Sequence, residues 1–256
     1  MLNRPAELTI VVPTYNERDG IQELVRALFE ATTAAGIELE LVVVDDNSPD
    51  GTGALADELA RTYRMHVVHR AGKLGLGTAV VAGFAVASAD VLGVMDADFS
   101  HPPRLVPDML AVFRATQADV LVASRYVPGG STPNWPFKRR LLSRIGCLLA
   151  RPLSPIRDAA SGFFLIRRSI ARGVEIKAGG FKICLELIVR GTAVRLVEIP
   201  YRFDDRELGE SKMSMREAAG YLVQLKDLYT VKQRGPRKIY RQLSAAEVQQ
   251  TVQAAR

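Results

Sequence analysis

Between Val91 and His101 an apolar run ends abruptly in two carboxylates, Asp96 and Asp98, separated by one small residue. Released into a turn at a strand end, such a pair can face one divalent cation. Mg²⁺ or Mn²⁺ needs few carboxylates when phosphate oxygens and water complete its shell. The alternative is that both carboxylates cap the helix opened by His101, Pro102 and Pro103, satisfying its free N–H groups. Ser100 and His101 are close enough in sequence to join either arrangement. Asp45 and Asp46 suit a grip on a nucleoside through ribose or base hydrogen bonds; they also suit an ordinary turn. Pro13, Thr14, Tyr15, Asn16 and Glu17 could line the same pocket, with Tyr15 stacking and Glu17 accepting a hydrogen bond. Asn16 could instead be a helix cap.

Arg125 is a candidate phosphate clamp, because a guanidinium pairs phosphate bidentately; its alternative is a plain surface arginine. Trp135, the only tryptophan, suits stacking on a sugar, a membrane interface or simple packing. Arg206 and Lys212 flank Gly209, Glu210 and Ser211 in a loop of the kind that closes over an anion, or that is merely mobile. Gly72, Gly75 and Gly77 with Lys73 lack the P-loop pattern and read as a flexible turn. His66 and His69 border a strand and read as structural.

The elements that must position these groups alternate. Strands are expected at Leu8 to Val12 (stopped by Pro13), Leu39 to Val44, Met65 to Val68, Val91 to Met95 and Val120 to Ala123. Between them, residues such as Ile21, Leu24, Val25 and Leu28 keep helical spacing, and Leu76 to Ala87 forms a small-residue helix able to pack closely on a sheet. Strands without alternation, separated by helices, predict an α/β fold with a parallel sheet covered on both faces. Ligands then bind at the strands' carboxyl ends, where the candidate residues gather.

The second half predicts a helix over 139–151 with Leu142, Ile145, Leu148 and Leu149 facing inward. An apolar segment follows at Phe163 to Ile166, then a helix from Phe181 to Arg190 and a strand from Val194 to Pro200. Met215, Ala218, Leu222, Leu225 and Tyr229 trace an apolar stripe on a last amphipathic helix, edged by Lys226 and Lys232. After Gly235 and Pro236 the chain turns polar and Gln-rich, which predicts a frayed, flexible tail. One folding unit over 1–235, followed by a basic tail over 236–256, is the expected organisation.

With 256 residues, 48% hydrophobic and 24% charged, the chain has the composition of a globular protein with a sizeable core. Cys147 and Cys184 lie in apolar surroundings without metal spacing, which suits a reduced, cytosolic setting. No apolar run reaches membrane-spanning length before a polar or charged residue interrupts it, and residues 1–7 hold no signal-peptide core. The net charge is +6, and residues 226–256, with seven Lys/Arg against two acids, supply +5 of it. A basic tail is most often a solvated surface, but it also suits an anionic membrane face; without interleaved aromatics it suits nucleic acid poorly.

Three motifs together resemble the family-2 glycosyltransferases of the GT-A (Rossmann-like) fold: Val11-Val12-Pro13-Thr14-Tyr15-Asn16-Glu17, Val43-Val44-Asp45-Asp46-Asn47-Ser48-Pro49-Asp50-Gly51-Thr52, and Met95-Asp96-Ala97-Asp98-Phe99-Ser100-His101-Pro102-Pro103. Ser124-Arg125-Tyr126, Asn134-Trp135-Pro136, Ser161-Gly162-Phe163-Phe164, Gly180-Phe181-Lys182 and Gly209-Glu210-Ser211-Lys212 narrow the resemblance to dolichol-phosphate (polyprenyl-phosphate) mannosyltransferases. It runs in order from Leu8 to Val231.

The resemblance implies a nucleotide-binding part over about 8–126 and an acceptor part over about 127–235. GDP-mannose would bind at Pro13, Tyr15, Glu17, Val44 and Asp46, with Asp45 beside it. Asp96, Ala97 and Asp98 would meet the sugar diphosphate, with Mg²⁺ or Mn²⁺ held by Asp96, Asp98 and Ser100. Many relatives carry a metal-holding glutamine where Ser100 stands; the shorter serine leaves room for water or a looser metal. Arg125, Arg206 and Lys212 would act with the two carboxylates at the donor phosphates, and Arg125, Arg139 and Lys182 at the acceptor phosphate. The implied reaction is inverting transfer of mannose to a polyprenyl phosphate. The implied location is the cytoplasmic face of a membrane, touched peripherally through 139–151, 215–232 and the basic tail, with room for an unidentified membrane partner. Another donor such as UDP-glucose, or a sugar-nucleotide-binding module without turnover, is the rival expectation.

Overall fold

Strand and helix alternate from the start of the chain: β1 (Leu8–Thr14), α1 (Arg18–Ala34), β2 (Leu39–Asp45), α2 (Thr52–Leu59), β3 (Met65–His69), α3 (Leu76–Val86), β4 (Val91–Val94), α4 (Val106–Ala115) and β5 (Val120–Ser124). The second half adds α5 (Phe137–Ala150), β6 (Phe164–Arg167), α6 (Arg168–Ala171), α7 (Ile183–Arg190), β7 (Arg195–Pro200), α8 (Met215–Arg234), β8 (Arg241–Gln242) and α9 (Ala245–Ala254). The structure, a computed structural model, describes residues 4–176, 182–204, 215–236 and 238–254.

The described strands form one sheet in the order β3-β2-β1-β4-β6-β5-β7-β8. All pairings are parallel except the two made by β6. From β1 the chain steps outward to β2 and β3, then returns to place β4 on β1's other side. That reversal opens a crevice beyond the carboxyl ends of β1 and β4, the usual ligand position in such sheets.

Strands buried on both faces need continuous apolar runs, and β1 and β2 have them. Leu8, Ile10 and Val12 face a core closed by Ile21, Leu24 and Leu28 of α1 and Met109, Leu110 and Phe113 of α4. On the opposite face, Leu92, Val122 and Phe164 pack with Ile183, Leu187 and Ile188 of α7. The close packing expected of α3 is present. A Cβ on Gly83 would come 2.4 Å from Val11 Cγ1, so only a bare backbone lets this helix sit so near β1.

Three expectations are corrected. Pro13 does not stop β1, which continues to Thr14 in register with Asp45. The β1–β4 ladder ends at Val11 and Val94, with Met95 N–H donating to Val11 O (3.2 Å). Pro13 therefore lacks its N–H on the side where no partner strand needs it.

The second correction concerns α5. Leu142, Ile145, Leu148 and Leu149 point outward, Leu148 with 68% of its surface exposed, and the helix buries Cys147 and Ala150 instead. The adjoining sheet face is already covered by α7, buried along Ile183–Val189. Small residues of α5 lean on α8, where Tyr221 Oη donates to Gly146 O (2.8 Å) and Tyr229 Oη to Leu149 O (2.7 Å). On α8, Leu225 is buried and Leu222 is exposed; the expected stripe is thus divided, and the side chains of Met215 and Ala218 lie outside the description.

Third, the segment after Gly235 is folded over its described residues. β8 pairs with β7 (Arg195 with Arg241, Leu196 with Gln242), and Val248 of α9 is buried in the α1/α4 core. Lys238 Nζ donates to Ile188 O (3.0 Å), Val189 O (2.6 Å) and Gly191 O, closing the carboxyl end of α7 with a cation. Ser244 and Glu247 form a reciprocal capping box that starts α9, with Ser244 N–H donating to Glu247 Oε2 (2.8 Å) and Glu247 N–H to Ser244 Oγ (3.3 Å).

Candidate active site

At the carboxyl end of β4 the chain turns through Phe99, whose φ of 59° is left-handed. This is costly for a bulky residue and marks a site that the surroundings must hold in place. Ser100 supplies the hold: its N–H (3.1 Å) and Oγ–H (2.6 Å) both donate to Asp98 Oδ1. The serine, almost fully buried, thus braces the Asp98 carboxylate. Asp96 N–H donates to His101 Nδ1 (2.9 Å), so that nitrogen is unprotonated. Burial holds the His101 imidazole below its ordinary pKa, against the pull of Asp96 and Asp98. The ring is therefore neutral, protonated on Nε2, and stacked on Phe163 at 4.9 Å. It fixes the backbone of Asp96, and capping by Asp96 and Asp98 at the Pro103–Leu105 turn is absent.

The Asp96 side chain stays 38% exposed. Among the described residues no group of three His, Cys, Asp or Glu converges on one point. Two hard carboxylates at an open strand end fit a cation that takes its remaining ligands from phosphate and water, and not a closed protein cage.

At the nucleoside end, Asp45 is turned inward. It accepts from Ser48 N–H (3.1 Å), Ser48 Oγ–H (2.5 Å) and Thr14 Oγ1–H (3.3 Å), and so organises the turn after β2. That turn caps α1 from outside. Asn16, Glu17 and Arg18 donate their N–H groups to Ser48 Oγ (3.0 Å), Thr52 Oγ1 (3.0 Å) and Asp50 Oδ2 (3.1 Å). Asn16 is therefore not the cap; it is one of the capped residues. Asp46 forms an ion pair with Arg70, Oδ1 to Nη1 3.1 Å, with both side chains under a tenth exposed. Burial pushes the Asp46 carboxyl up while Arg70 pulls it down. Arg70 also donates to Gly75 O (3.3 Å) and Thr78 Oγ1 (2.8 Å), tying down the loop after β3. Lys73 Nζ lies 4.3 Å over the ring of Tyr15, which is partly exposed at the mouth. Pro13 and Val44 contribute from paired strand positions at the same edge, and Ala97 is buried between the two carboxylates.

At the end of β5, Arg125 is neither exposed nor idle. It is buried, and its Nε and Nη2 donate to Asp158 Oδ2 (2.7 Å) and Oδ1 (2.6 Å), while its backbone N–H adds a bond to Oδ2 (2.8 Å). Asp158 is set in turn by Glu198, which accepts from Arg157 N–H (2.8 Å), Asp158 N–H (3.0 Å) and Gln242 Nε2 (2.7 Å). Burial raises the Glu198 carboxyl, and the backbone donations from Arg157 and Asp158 oppose the rise. Arg139 stacks over Trp135 at 4.0 Å. Lys182 lies within electrostatic reach of Arg125, Asp158 and Asp96; burial, and then Arg125, lower its ammonium pKa. Arg206 and Lys212 fall outside the described residues. Sequence reasoning missed Arg70, Asp158, Glu198, Tyr201 and Gln242, none of which carries a local spacing signal.

Residues 9–175 match the profile of glycosyl transferase family 2. The chain belongs to that family. A dolichol-phosphate mannosyltransferase of Pyrococcus furiosus is 40% identical over 220 residues, covering 84% of this chain and 62% of that protein; this chain thus spans less than two thirds of it. A polyprenol monophosphomannose synthase of Mycolicibacterium smegmatis is 41% identical over 231 residues, 84% of this chain and 85% of that one. Among solved structures, a mannosyltransferase of Pyrobaculum calidifontis in complex with GDP-Man and Mn²⁺ superimposes with a TM-score of 0.63 at 18% identity, over 99% of this chain and 70% of that one. That likeness is one of fold, and it agrees with the α/β, GT-A-like architecture of this family-2 glycosyltransferase domain.

Proposed function

We propose that the chain transfers mannose from GDP-mannose to a polyprenyl (dolichyl-type) monophosphate with inversion, giving polyprenyl-phosphate β-mannose and GDP. One observation carries the acceptor half of this reading. Of the groups near Arg125 that could serve as a general base, Asp158 is bound to Arg125, Glu198 holds backbone amides, and His101 Nδ1 accepts from Asp96. Among the described residues, then, the one carboxylate left open beside the cations Arg125 and Lys182 is Asp96, which this reading gives to the diphosphate; such a site suits a nucleophile that arrives ionised, as a phosphate monoester does near neutral pH. The names of the relatives supply the lipid class, and the neighbour solved with GDP-Man supports the donor.

In this reading Tyr15, Glu17 and Asp46 hold the nucleoside beside Pro13 and Val44, with Asp45 fixing the turn. Asp96 and Asp98 face the diphosphate, where bound Mg²⁺ or Mn²⁺ would stabilise charge developing on the β-phosphate. Arg125, Arg139 and Lys182 receive the acceptor phosphate and offset repulsion between two polyanions, with Arg206 and Lys212 adding cations at the donor. Phe137, Leu142, Ile145 and Leu148 of α5 are exposed on the same helix as Lys138, Arg140 and Arg144, and Leu222 and Val223 of α8 are exposed as well. That pattern suits peripheral contact with an anionic leaflet, at the cytoplasmic face. No described helix is long and apolar enough to cross a membrane.

Transfer of radiolabel from GDP-mannose or UDP-glucose into extracted polyprenyl phosphate tests the reading. Label is expected from GDP-mannose and is lost with Asp98→Asn. Label arising only from UDP-glucose would overturn the donor assignment.

A further inference from the structure

The loops after β5 and β7 are stitched together. Tyr201 N–H donates to Ser124 O (3.1 Å), Ser131 N–H to Tyr201 O (3.1 Å) and Phe203 N–H to Ser131 O (2.9 Å). Gly130 permits this approach, since a Cβ there would come 2.5 Å from Ser124 O. The result is a run of aromatic rings, His101, Phe163, Tyr201, Phe203 and Trp135, with successive centroids 4.9, 6.0, 6.3 and 5.2 Å apart. It leads from the Asp96 loop to Arg139.

Two polar atoms in this wall fall short of a full hydrogen bond. Trp135 Nε1 and Tyr201 Oη, on residues 6% and 4% exposed, make no hydrogen bond of ordinary geometry. A buried donor left unpaired costs about 1–3 kcal/mol, and native interiors rarely leave one without a reason. Stacking of a sugar on Trp135 is disfavoured by its neighbours: Arg139 lies over the ring at 4.0 Å, Arg125 is 5.1 Å from its centroid, and Phe203 meets it edge-on. Its unsatisfied valence is the N–H. Burial pushes the Tyr201 phenol up, against weaker pulls from Arg125 and the Ser161 side chain, so it stays protonated and able to donate. Arg125 and Arg139 bring positive charge to the wall, with Asp158 and Asp96 close by, and Arg125 already gives Nε and Nη2 to Asp158; additional donors are needed to complete the shell of a tetrahedral anion.

We propose that Trp135 Nε1–H and Tyr201 Oη–H donate hydrogen bonds to the phosphate oxygens of the acceptor, Trp135 from the Arg139 side and Tyr201 from the Asp96 side. The assignment rests on the acceptor reading given above and adds two neutral binding residues to its arginines. Trp135→Phe and Tyr201→Phe remove the donors and keep an aromatic ring in place. Each variant, checked by thermal melting for an intact fold, is assayed for mannose transfer to a polyprenyl monophosphate in detergent micelles. Binding of farnesyl phosphate is measured separately by calorimetry. Each variant should bind farnesyl phosphate about tenfold or more weakly and raise the acceptor KM to match, with the GDP-mannose KM within about twofold of wild type. Wild-type acceptor KM and binding in both variants would overturn the assignment, as would an equal rise in the GDP-mannose KM. A wild-type protein that neither binds nor glycosylates the prenyl phosphate would instead remove the acceptor reading itself.

Discussion

Asp158→Asn separates the charge of the Arg125–Asp158 pair from its shape. The amide keeps an oxygen for the Arg125 backbone N–H, now at 2.8 Å, but leaves the guanidinium without a counter-charge in a site where both side chains are under a tenth exposed. Breaking a buried pair on one side costs about 3–5 kcal/mol, because the remaining charge stays desolvated. At about 2–4 °C per kcal/mol for a chain of this size, the melting temperature should fall by on the order of 10 °C. Arg125→Met strands the carboxylate in the same way. The double variant Arg125→Met/Asp158→Asn strands neither charge, so its loss should fall short of the sum of the single losses by at least about 2 kcal/mol. Urea unfolding of the four proteins measures the cycle. Mannose transfer, assayed in parallel, should stay low in the double variant even where stability returns, because the acceptor would still lack its arginine. A single-variant loss below about 1 kcal/mol, or additive losses, would refute the view that the pair is a coupled, desolvated unit.

Three further outcomes are expected. Leu142→Glu/Leu148→Glu on α5 should reduce co-sedimentation with anionic vesicles at least about tenfold while shifting the melting temperature by less than about 2 °C, since both residues already face solvent; undiminished binding would acquit α5. Burial pushes the Glu40 carboxyl up, but donations from Thr9 Oγ1–H (2.6 Å), Ser88 N–H (2.6 Å) and Ser88 Oγ–H (2.7 Å) win and hold it below its ordinary value. Its stabilising effect is therefore full above the unfolded value of about 4.3 and fades as pH falls through the lower native one; Glu40→Gln should cost about 2 kcal/mol at pH 7 in urea unfolding, with the gap to wild type narrowing below about pH 4. Gly83→Ala should lower stability by about 1–3 kcal/mol despite alanine's better helix propensity, because its methyl meets Val11; a rise in melting temperature would show that α3 can shift freely.

What was legible in the sequence was whatever a local run could specify. The apolar runs of β1, β2 and β5 and the helical spacing of α1 are each set within a few neighbouring residues, and the α/β architecture follows from their alternation. The carboxylates of Asp96 and Asp98 were legible for the same reason, since a strand end and its turn are one local event. The face of α5 was not. Leu142 and Leu148 keep the spacing of a buried stripe, and only the position of α7 shows that nothing covers them. Polar composition concealed the order of the last segment, although Ser244 and Glu247 have the spacing of a capping box. The structural roles of Asp158, Glu198 and Gln242 depend on contacts 33 to 44 residues apart in sequence, which no local pattern encodes. Arg125 was legible as a cation at a strand end, but its buried pairing with Asp158 could be found only in three dimensions.

The position of Trp135 also makes the molecule its own optical probe. It is the chain's sole tryptophan, and it packs against two guanidinium groups, Arg139 and Arg125, after β5, while Tyr15 and Lys73 pack together in the loops after β1 and β3. Selective excitation of the indole therefore reports from one place only, without label or background from a second tryptophan. Occupancy beside Arg125 and Arg139 should change its emission directly. A nucleotide bound near Tyr15 should change it only by shifting Phe203, Arg125 or Arg139, the groups packed on the indole, so a single cuvette titration distinguishes local contact from communication across the site.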